Sequence, residues 1–343
     1  VTPPGTAPGL NLYAADLVRC PDGNFRVLKD LTQAPSGMGY ALENRTVMSR
    51  LIPSLFRDSH PHRLAPFFRR LRESLVALAP AAVSDEPRVV IMTPGPHNET
   101  YFEHLYPANY LDYTLIEGAN LTVRDDRVWL KSVSGLEPVD VILRRVDDYF
   151  CDPLELRPDS LLGVPGLVEA VRRGRVAIAN PLGAGVLENP ALMAFLPRLA
   201  KHLLGQNLRL PSVATWWCGQ PQELDYVLNN LQTLVLRSIS RTAGNRPVFG
   251  DRLDDKELEA WRTRIQAQPE RYIGQEKMDL SSAPTLHDGR LEPHHSILRT
   301  FLAGDDNNYT VMPGGLTRVG ATPESHIITS QAGAISKDTW VLA

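Results

Sequence analysis

A serine- and glycine-containing segment, Pro35-Ser36-Gly37 with Gly39 close behind, follows an apolar strand pattern and precedes a helical one. A turn of this composition ahead of a helix exposes backbone N–H groups, and such groups bind phosphate well. A plain turn between two elements would explain the same residues. The segment is therefore a candidate phosphate cradle that needs support from residues elsewhere.

Two arginines and two acids occur together in Arg144-Arg145-Val146-Asp147-Asp148, at the end of a predicted strand. The carboxyl end of a strand in an α/β sheet is the usual place for a charged ligand. Mutual ion pairing in contact with solvent is the alternative. The sequence leaves both interpretations open.

Two further glycine-containing loops carry weaker signals. The loop over 180–185 (NPLGAG) lacks the third glycine of a dinucleotide fingerprint, which argues against a Rossmann NAD site. Pro313-Gly314-Gly315 precedes Arg318. We interpret it either as a hairpin or as a loop whose Arg318 faces phosphate or carboxylate, because guanidinium geometry suits both anions.

Several common catalytic motifs are absent from the sequence. There is no Gly-x-Ser-x-Gly elbow, no His-Glu-x-x-His pair and no Walker A loop. These absences argue against a serine hydrolase, a zincin metalloprotease and a P-loop nucleotide site. Any nucleotide must therefore be held in another way.

Hydrophobic periodicity predicts the elements that position these loops. Paired strands are expected over 12–30, and helices over 40–54 and 64–78. The order strand, helix, strand over 88–117 indicates an α/β unit with a parallel pair. Later elements are expected as a hairpin over 121–130, an amphipathic helix over 189–204, a charged helix over 254–268 and strands over 272–280, 296–302, 308–312 and 325–343.

Bulk composition restricts the class of protein. The chain has 343 residues, 43% hydrophobic content and a net charge of −3, which favours a large core and gives no support for binding to nucleic acid or to an anionic membrane. Its three cysteines are far apart, so we expect reduced thiols and a cytoplasmic location. We see neither a signal peptide nor an apolar run of membrane-spanning length.

Taken together, these motifs resemble the circularly permuted ATP-grasp proteins of type 2, which are relatives of glutathionylspermidine synthase. The resemblance covers roughly 12–343, with the sequence motifs of the family in the expected order. The motifs are YAADLVRCPDGNFRVLKDLTQAPSGMGYALENR, TPGPHNETYFEH, ILRRVDDYFCDPLELRPDSLLGVPGL, NPLGAGVLENPAL, LPSVATWWCG, VMPGGLTRV and SKDTWVL.

The resemblance implies an α+β (α/β) protein with a circularly permuted ATP-grasp fold and an inserted α/β substrate domain. Residues 1–11 are expected to be disordered. The metal strand, the loop and the first helices then occupy 12–84, the substrate-type domain 85–205, and the nucleotide lobe with the remaining core strands 206–343.

The implied activity is ATP-dependent ligation of a carboxylate to an amine. ATP converts the carboxylate to an acylphosphate, and the amine attacks it to form a peptide-like amide bond. The implied cofactors are ATP and Mg²⁺, and the substrates are an unidentified carboxylate and amine, with a peptide among the candidates. Other domains of a longer chain are further candidate partners.

The resemblance also implies roles for individual residues. Mg²⁺ would be held by Asp16, with Asp30 as a substitute ligand. The catalytic arginines and lysine would be Arg299, Arg318 and Lys337. ATP would be bound by Ser36, Gly37, Met38, Gly39, Arg45, Arg237, Gln275 and Glu276.

Four residues depart from the family pattern. Ala14 replaces an arginine, Lys29 a glutamate and Leu31 an asparagine around the expected metal site, and Arg237 replaces a phosphate-binding lysine. Strand alternation also directs Asp30 away from the face that carries Lys29 and Leu31. A second reading is therefore a catalytically degenerate ATP-grasp-like domain that binds a nucleotide or a partner.

Overall fold

The structure is a computed structural model that describes residues 9–83, 86–240, 246–287, 289–304 and 308–343. Most of the segment predicted to be disordered, residues 1–8, and the predicted domain seam at 84 and 85 lie outside the described residues. Among the described residues, no helix is long and apolar enough to cross a membrane.

The described residues form strands and helices in a mixed order. The helices are α1 (Met38–Leu51), α2 (Pro53–Ser59), α3 (Ala65–Ala77), α4 (Tyr101–Leu111), α5 (Leu167–Arg172), α6 (Leu196–Leu204), α7 (Pro221–Asn229) and α8 (Asp255–Ala267). The strands are β1 (Leu12–Arg19), β2 (Phe25–Leu31), β3 (Val89–Thr93), β4 (Thr114–Glu117), β5 (Leu121–Arg124), β6 (Arg127–Ser132), β7 (Gly135–Val139), β8 (Val141–Arg144), β9 (Ala177–Ala179), β10 (Thr215–Trp217), β11 (Leu234–Ser238), β12 (Val248–Phe249), β13 (Tyr272–Glu276), β14 (Ser282–His287), β15 (Arg290–Gly304), β16 (Tyr309–Val311), β17 (Gly314–Val319) and β18 (Ile335–Trp340).

A large antiparallel sheet joins the two ends of the chain. Its strand order is β18-β17-β15-β1-β2, and β14 and β16 also pair with β15. Asp16 on β1 lies opposite Lys29 of β2 on one side and opposite Arg299 of β15 on the other. This pairing brings residues almost 300 positions apart in the sequence to adjacent places in the sheet.

A parallel sheet of order β4-β3-β8-β9 lies next to the large sheet. All five residues of β3 are buried, as expected for a strand covered on both faces. The predicted α/β unit over 88–117 is confirmed, because β3 and β4 are parallel and α4 connects them. The hairpin predicted over 121–130 is also present as β5 and β6, which β7 extends to a separate three-stranded sheet.

Helix α3 and the two sheets share one apolar core. Phe67, Phe68, Leu71 and Leu75 are fully buried along one side of α3. Their cluster includes Leu12 and Phe301 from the large sheet together with residues of β3 and β8 from the parallel sheet. The core is therefore continuous between the large sheet and the parallel sheet.

A fourth sheet, called the small sheet below, has the order β10-β13-β11-β12 and packs with α7 and α8 around its own apolar cluster. It contains the predicted nucleotide residues of the chain's second half. By contrast, the strands from 282 onward pair within the large sheet, alongside β1 and β2. The domain boundary at 205/206 stays a prediction.

Four predicted elements differ in the structure. The strand expected over 325–343 is limited to β18 and follows a 3-10 turn at Ser330–Ala332. The helix expected over 189–204 is a 3-10 turn, Pro190–Ala194, followed by α6, because Pro190 begins the turn and Pro197 lies in the first turn of α6, where the missing N–H group is tolerated. The helix expected over 40–54 ends at Leu51, and Pro53 begins α2. Gly314 and Gly315 are neither a hairpin nor a loop, since they begin β17 and pair with β18.

Candidate functional site

The crevice between the large sheet and the parallel sheet contains a cavity of about 820 Å³. Four basic side chains line it: Lys29 from β2, Arg299 from β15, Arg318 from β17 and Arg145, which directly follows β8. The volume lies within the range of small-molecule sites in proteins. Three acids also line the cavity: Glu99, Asp147 and Glu188. The cavity is therefore the leading candidate site, and because its four cations outnumber its three acids, the lining favours an anion.

Asp16 lies beside the cavity and forms a buried ion triad with two of these arginines. Arg299 donates from Nε to Asp16 Oδ1 at 2.7 Å and from Nη2 to Oδ2 at 2.8 Å. Arg318 donates from Nη2 to Oδ1 at 2.8 Å. Both carboxylate oxygens are consequently engaged, one of them twice.

The two arginines also control the ionisation of Asp16. Burial acts to raise the pKa of Asp16, but the positive charges of Arg299 and Arg318 and the hydrogen bonds from Arg299 outweigh it. The pKa is therefore held well below the usual range of a carboxyl group, and Asp16 is ionised at neutral pH.

The predicted cradle is partly engaged by other protein groups. Arg299 Nη1 donates to the carbonyl oxygen of Ser36 at 2.9 Å and to its hydroxyl at 3.1 Å. Gly37 has a φ of 111°, and a side-chain carbon there would lie 2.9 Å from Leu316 Cδ2. Met38 is buried in the core, and the Gly39 N–H donates to Glu103 Oε1 at 3.3 Å. Ser36 and Gly37 line the cavity, whereas Met38 and Gly39 do not.

The two neighbouring arginines at the end of β8 have different roles. Arg144 is fully buried and pairs with Asp148 at 2.5 Å, and it also donates to the carbonyl oxygens of Val146 and Asn180. Arg144 therefore fits the interpretation of these arginines and acids as ion pairs, but the pair is buried and not in contact with solvent. Arg145 instead lines the cavity, where Nη2 contacts Glu103 Oε2 at 3.1 Å.

The predicted nucleotide residues of the small sheet lie elsewhere. Arg237 donates to Gln275 Oε1 at 3.2 Å, and Gln275 Nε2 donates to Thr215 Oγ1 at 3.2 Å. Arg237 borders a void of only about 10 Å³, which it shares with Lys29, Asp30 and residues 187–190 and 193. A nucleotide does not fit in such a void. Glu276 is exposed at the end of β13.

Residues 184–194 fill the space between β2 and the small sheet. Glu188 Oε1 accepts hydrogen bonds from the backbone N–H groups of Thr32 at 2.6 Å and Gln33 at 2.7 Å. Thr32 also donates from its hydroxyl to the carbonyl oxygen of Ala184 at 2.7 Å. A carboxylate of the chain itself thus occupies two amides that are suited to an anion.

Three other predicted residues lie away from the cavity. Arg45 is buried and donates to Asp338 Oδ2 at 2.7 Å and to the carbonyl oxygens of His62 and Thr339. Lys337 donates from Nζ to the carbonyl oxygen of Pro284, and burial lowers its pKa. Asp30 accepts a hydrogen bond from the Tyr13 hydroxyl at 2.5 Å, and burial raises the pKa of its carboxyl group.

The residues present do not fit the predicted Mg²⁺ site. Asp30 pairs with Ala15 in the strand register, whereas Asp16 pairs with Lys29, so the two carboxylates point to opposite faces of the sheet. Asp16 is already neutralised by two arginines. Within the described ranges, no three His, Cys, Asp or Glu side chains come together in a way that could hold a metal ion.

Sequence reasoning missed several residues around the cavity. Glu103 is fully buried and connects α4 to the cradle, and Glu188 reaches β2 from a distant segment. His104 lines the cavity between the hydroxyls of Thr93 and Thr100, at 2.9 and 3.0 Å, and burial together with Arg145 lowers its pKa to about 3. His104 is therefore neutral at physiological pH. No local pattern marked Glu103 and Glu188, because their partners are distant in sequence.

Comparison with known proteins gives a family. The sequence profile described as "Circularly permuted ATP-grasp type 2" matches residues 1–320. The chain belongs to this family. Membership confirms the predicted circularly permuted ATP-grasp fold with its mixture of helix and sheet.

Relatives of this ATP-grasp chain occur in mycobacteria and in a cyanobacterium. It is 41% identical over 333 residues to "Uncharacterized protein Rv2567" of Mycobacterium tuberculosis, covering 97% of this chain and 37% of the relative. It is 39% identical over 332 residues to "Uncharacterized protein sll0335" of Synechocystis, covering 97% and 69% of the two chains. The chain thus spans little more than a third of the length of the first of these relatives.

A solved structure similar to this ATP-grasp chain is "Structure of ATP-grasp ligase PsnB complexed with minimal precursor, Mg, and ADP". The two are 11% identical, with a TM-score of 0.34 over 65% of this chain and 87% of the other. A likeness at this level carries no argument about the site, and the family assignment rests on the sequence match.

Proposed function

We propose that this ATP-grasp chain binds the phosphate or carboxylate groups of a ligand in the 820 Å³ cavity and does not itself carry out Mg²⁺-dependent phosphoryl transfer. Within the ATP-dependent ligation of its family, it contributes binding. This proposal corresponds to the second interpretation of the sequence, a catalytically degenerate ATP-grasp-like domain that binds a ligand, and it assigns the binding to a defined cavity.

The observation that carries the proposal is the ion triad of Asp16, Arg299 and Arg318. Phosphoryl transfer needs metal ions that neutralise the charge on the transferred group. Here the acid expected to hold the metal already has two cationic partners, at 2.7 and 2.8 Å. Lys29 lies opposite it in the strand register, which adds another positive charge near Asp16 and opposes the entry of a divalent cation.

Calorimetry tests the proposal by titrating pyrophosphate and ATP, each with and without Mg²⁺. We expect pyrophosphate to bind and its dissociation constant to change less than threefold when Mg²⁺ is added. We also expect no ADP from ATP in a coupled assay that contains Mg²⁺. Failure of pyrophosphate and of carboxylate probes to bind would contradict the proposal.

A second candidate is a ligase that forms an amide bond through an acylphosphate. It is favoured by the convergence of Ser36, Arg299 and Arg318 on a cavity large enough for a peptide-like carboxylate. ADP production from Mg-ATP that depends on an added carboxylate and amine would establish this candidate and overturn the first. A location in the cytoplasm remains part of both proposals.

A further inference from the structure

The cradle is held from two sides by arginines of different sheets. Arg145 Nη2 donates to the carbonyl oxygen of Pro35 at 2.8 Å, and Arg299 Nη1 donates to that of Ser36 at 2.9 Å. The two acceptors belong to consecutive residues. The two donor nitrogens therefore lie at most about 11 Å apart, because carbonyl oxygens of neighbouring residues are only a few ångströms apart. Both arginines line the same cavity.

Arg145 retains an unused hydrogen-bond donor. Its side chain is 3% exposed, and Nη1 has no hydrogen-bond partner among the described residues. Its partners Pro35 and Glu103 both contact Nη2. A buried N–H group without a partner is destabilising, and more so when it is charged, so an acceptor supplied by a ligand would be favourable.

Arg318, which also lines the cavity, shows the same feature. Its Nη2 contacts Asp16, whereas its Nε has no partner among the described residues. Guanidinium groups match carboxylate and phosphate through two parallel hydrogen bonds. Two guanidinium groups that line the cavity therefore each keep one donor nitrogen without a partner, Arg145 just after a strand of the parallel sheet and Arg318 on the large sheet.

We propose that Arg145 is an anion-binding residue of this cavity and that the ligand carries two anionic groups, one held by Arg145 and the other by Arg299 and Arg318. The inference rests on the proposed function and extends it to the class of ligand. That class comprises short compounds with two phosphate or two carboxylate groups. Such a ligand connects the parallel sheet to the large sheet.

Calorimetry with two probes, pyrophosphate and glutarate, tests this inference and identifies the anion. The main variant is Glu103→Gln with Arg145→Gln, because removal of Arg145 alone would leave the buried Glu103 without its counter-ion. Its reference is Glu103→Gln alone. Arg172→Gln, on the exposed outer side of α5, is the matched arginine control.

Of the two probes, we follow the one that binds the wild-type chain more tightly. We expect its affinity for the double variant to be at least tenfold lower than its affinity for Glu103→Gln. Arg172→Gln should bind it within twofold of wild type. Binding of the double variant within twofold of Glu103→Gln would overturn the inference and leave the proposed function standing. If the wild-type chain binds neither probe, both fail.

Folding of each variant is checked by circular dichroism and thermal melting. If the double variant does not fold, Arg145→Lys replaces it, since lysine keeps the charge but has no second guanidinium nitrogen at the Nη1 position. We then expect at least a threefold loss for the same probe. Unchanged affinity of a folded Arg145→Lys chain would count against the role of Arg145.

Discussion

At the scale of single residues, the chemistry of the site depends on what surrounds Asp16. The resemblance to the family identified Asp16 as a ligand of the expected metal site, with Lys29 in place of an acid beside it. The structure adds Arg299 and Arg318, which lie 283 and 302 positions away in the sequence. Local pattern could not reveal this triad, because its distances depend on how β1, β15 and β17 pair.

The first prediction concerns Asp16→Asn. We expect it to lower the free energy of unfolding by about 3–5 kcal/mol at pH 7, because it leaves two arginines in a buried site without their counter-ion. Urea denaturation measures the change. Asp159→Asn, at an exposed pair with Arg157, is the control and should have little effect.

The same variant has a pH signature. The pKa of Asp16 is lowered on folding, so its stabilising contribution is present above the unfolded pKa of about 3.9 and is lost as the pH falls below it. The wild-type chain should lose a large part of this contribution on going from pH 5 to pH 2, with the rest lost only below the lowered folded pKa, and Asp16→Asn should show no such loss. Equal acid sensitivity of the two chains would contradict the assigned ion triad.

At the scale of elements, the loop between β2 and α1 determines how the cavity is shaped. Gly37 turns the chain at a φ of 111° and lies against Leu316. The carbonyl oxygens of the two preceding residues accept hydrogen bonds from Arg145 and Arg299. Composition identified this loop as a cradle. Nothing local could show that side chains from two sheets would hold its carbonyl groups.

Gly37→Ala tests this geometry against Gly183→Ala. Both glycines have positive φ, so either change costs about 1–2 kcal/mol of backbone strain. Only Gly37 faces a close neighbour, Leu316 Cδ2 at 2.9 Å, whereas Gly183 faces open space. We expect Gly37→Ala to cost about 1–3 kcal/mol more in thermal or urea unfolding. Equal losses would show that the clash is relieved without cost.

The elements themselves were predictable where periodicity is local. The strands β1 and β2 and the α/β unit over 88–117 follow from apolar runs and turn residues. The prediction of a single helix over 189–204 was wrong because two prolines divide the segment. The prediction of a hairpin or loop at Gly314-Gly315 was wrong because pairing with β18 extends these residues into β17. The placement of Arg45 and Lys337 away from the cavity depends on tertiary contacts that no local pattern contains.

At the scale of the whole molecule, one buried side chain connects the α/β part to the large sheet. Asn180, just after β9, accepts from the backbone N–H groups of Asn11 and Leu12 and donates to the carbonyl oxygens of Leu12 and Thr32. It therefore ties β1 and the end of β2 to the parallel sheet. The loop that Asn180 begins lacks a complete dinucleotide fingerprint, and the structure gives the Asn180 side chain four hydrogen bonds within the protein.

We predict that Asn180→Ala lowers the free energy of unfolding by about 3–5 kcal/mol, since it deprives four mostly buried backbone groups of a partner. Asn189→Ala is the control, because Asn189 caps a single 3-10 turn through Ala191 and should cost about 1 kcal/mol. Urea denaturation compares the two. A loss for Asn180→Ala no larger than that of the control would show that the two sheets stay joined without it.

The ion triad also limits how the sequence of this chain can change. Removal of either Arg299 or Arg318 weakens the neutralisation of Asp16, and removal of Asp16 leaves both arginines uncompensated, so each single step carries a stability cost. An acid-rich metal site at this position would also require Lys29 and Leu31 to change. Conversion to such a site therefore needs several substitutions together, because a single change within the triad lowers stability.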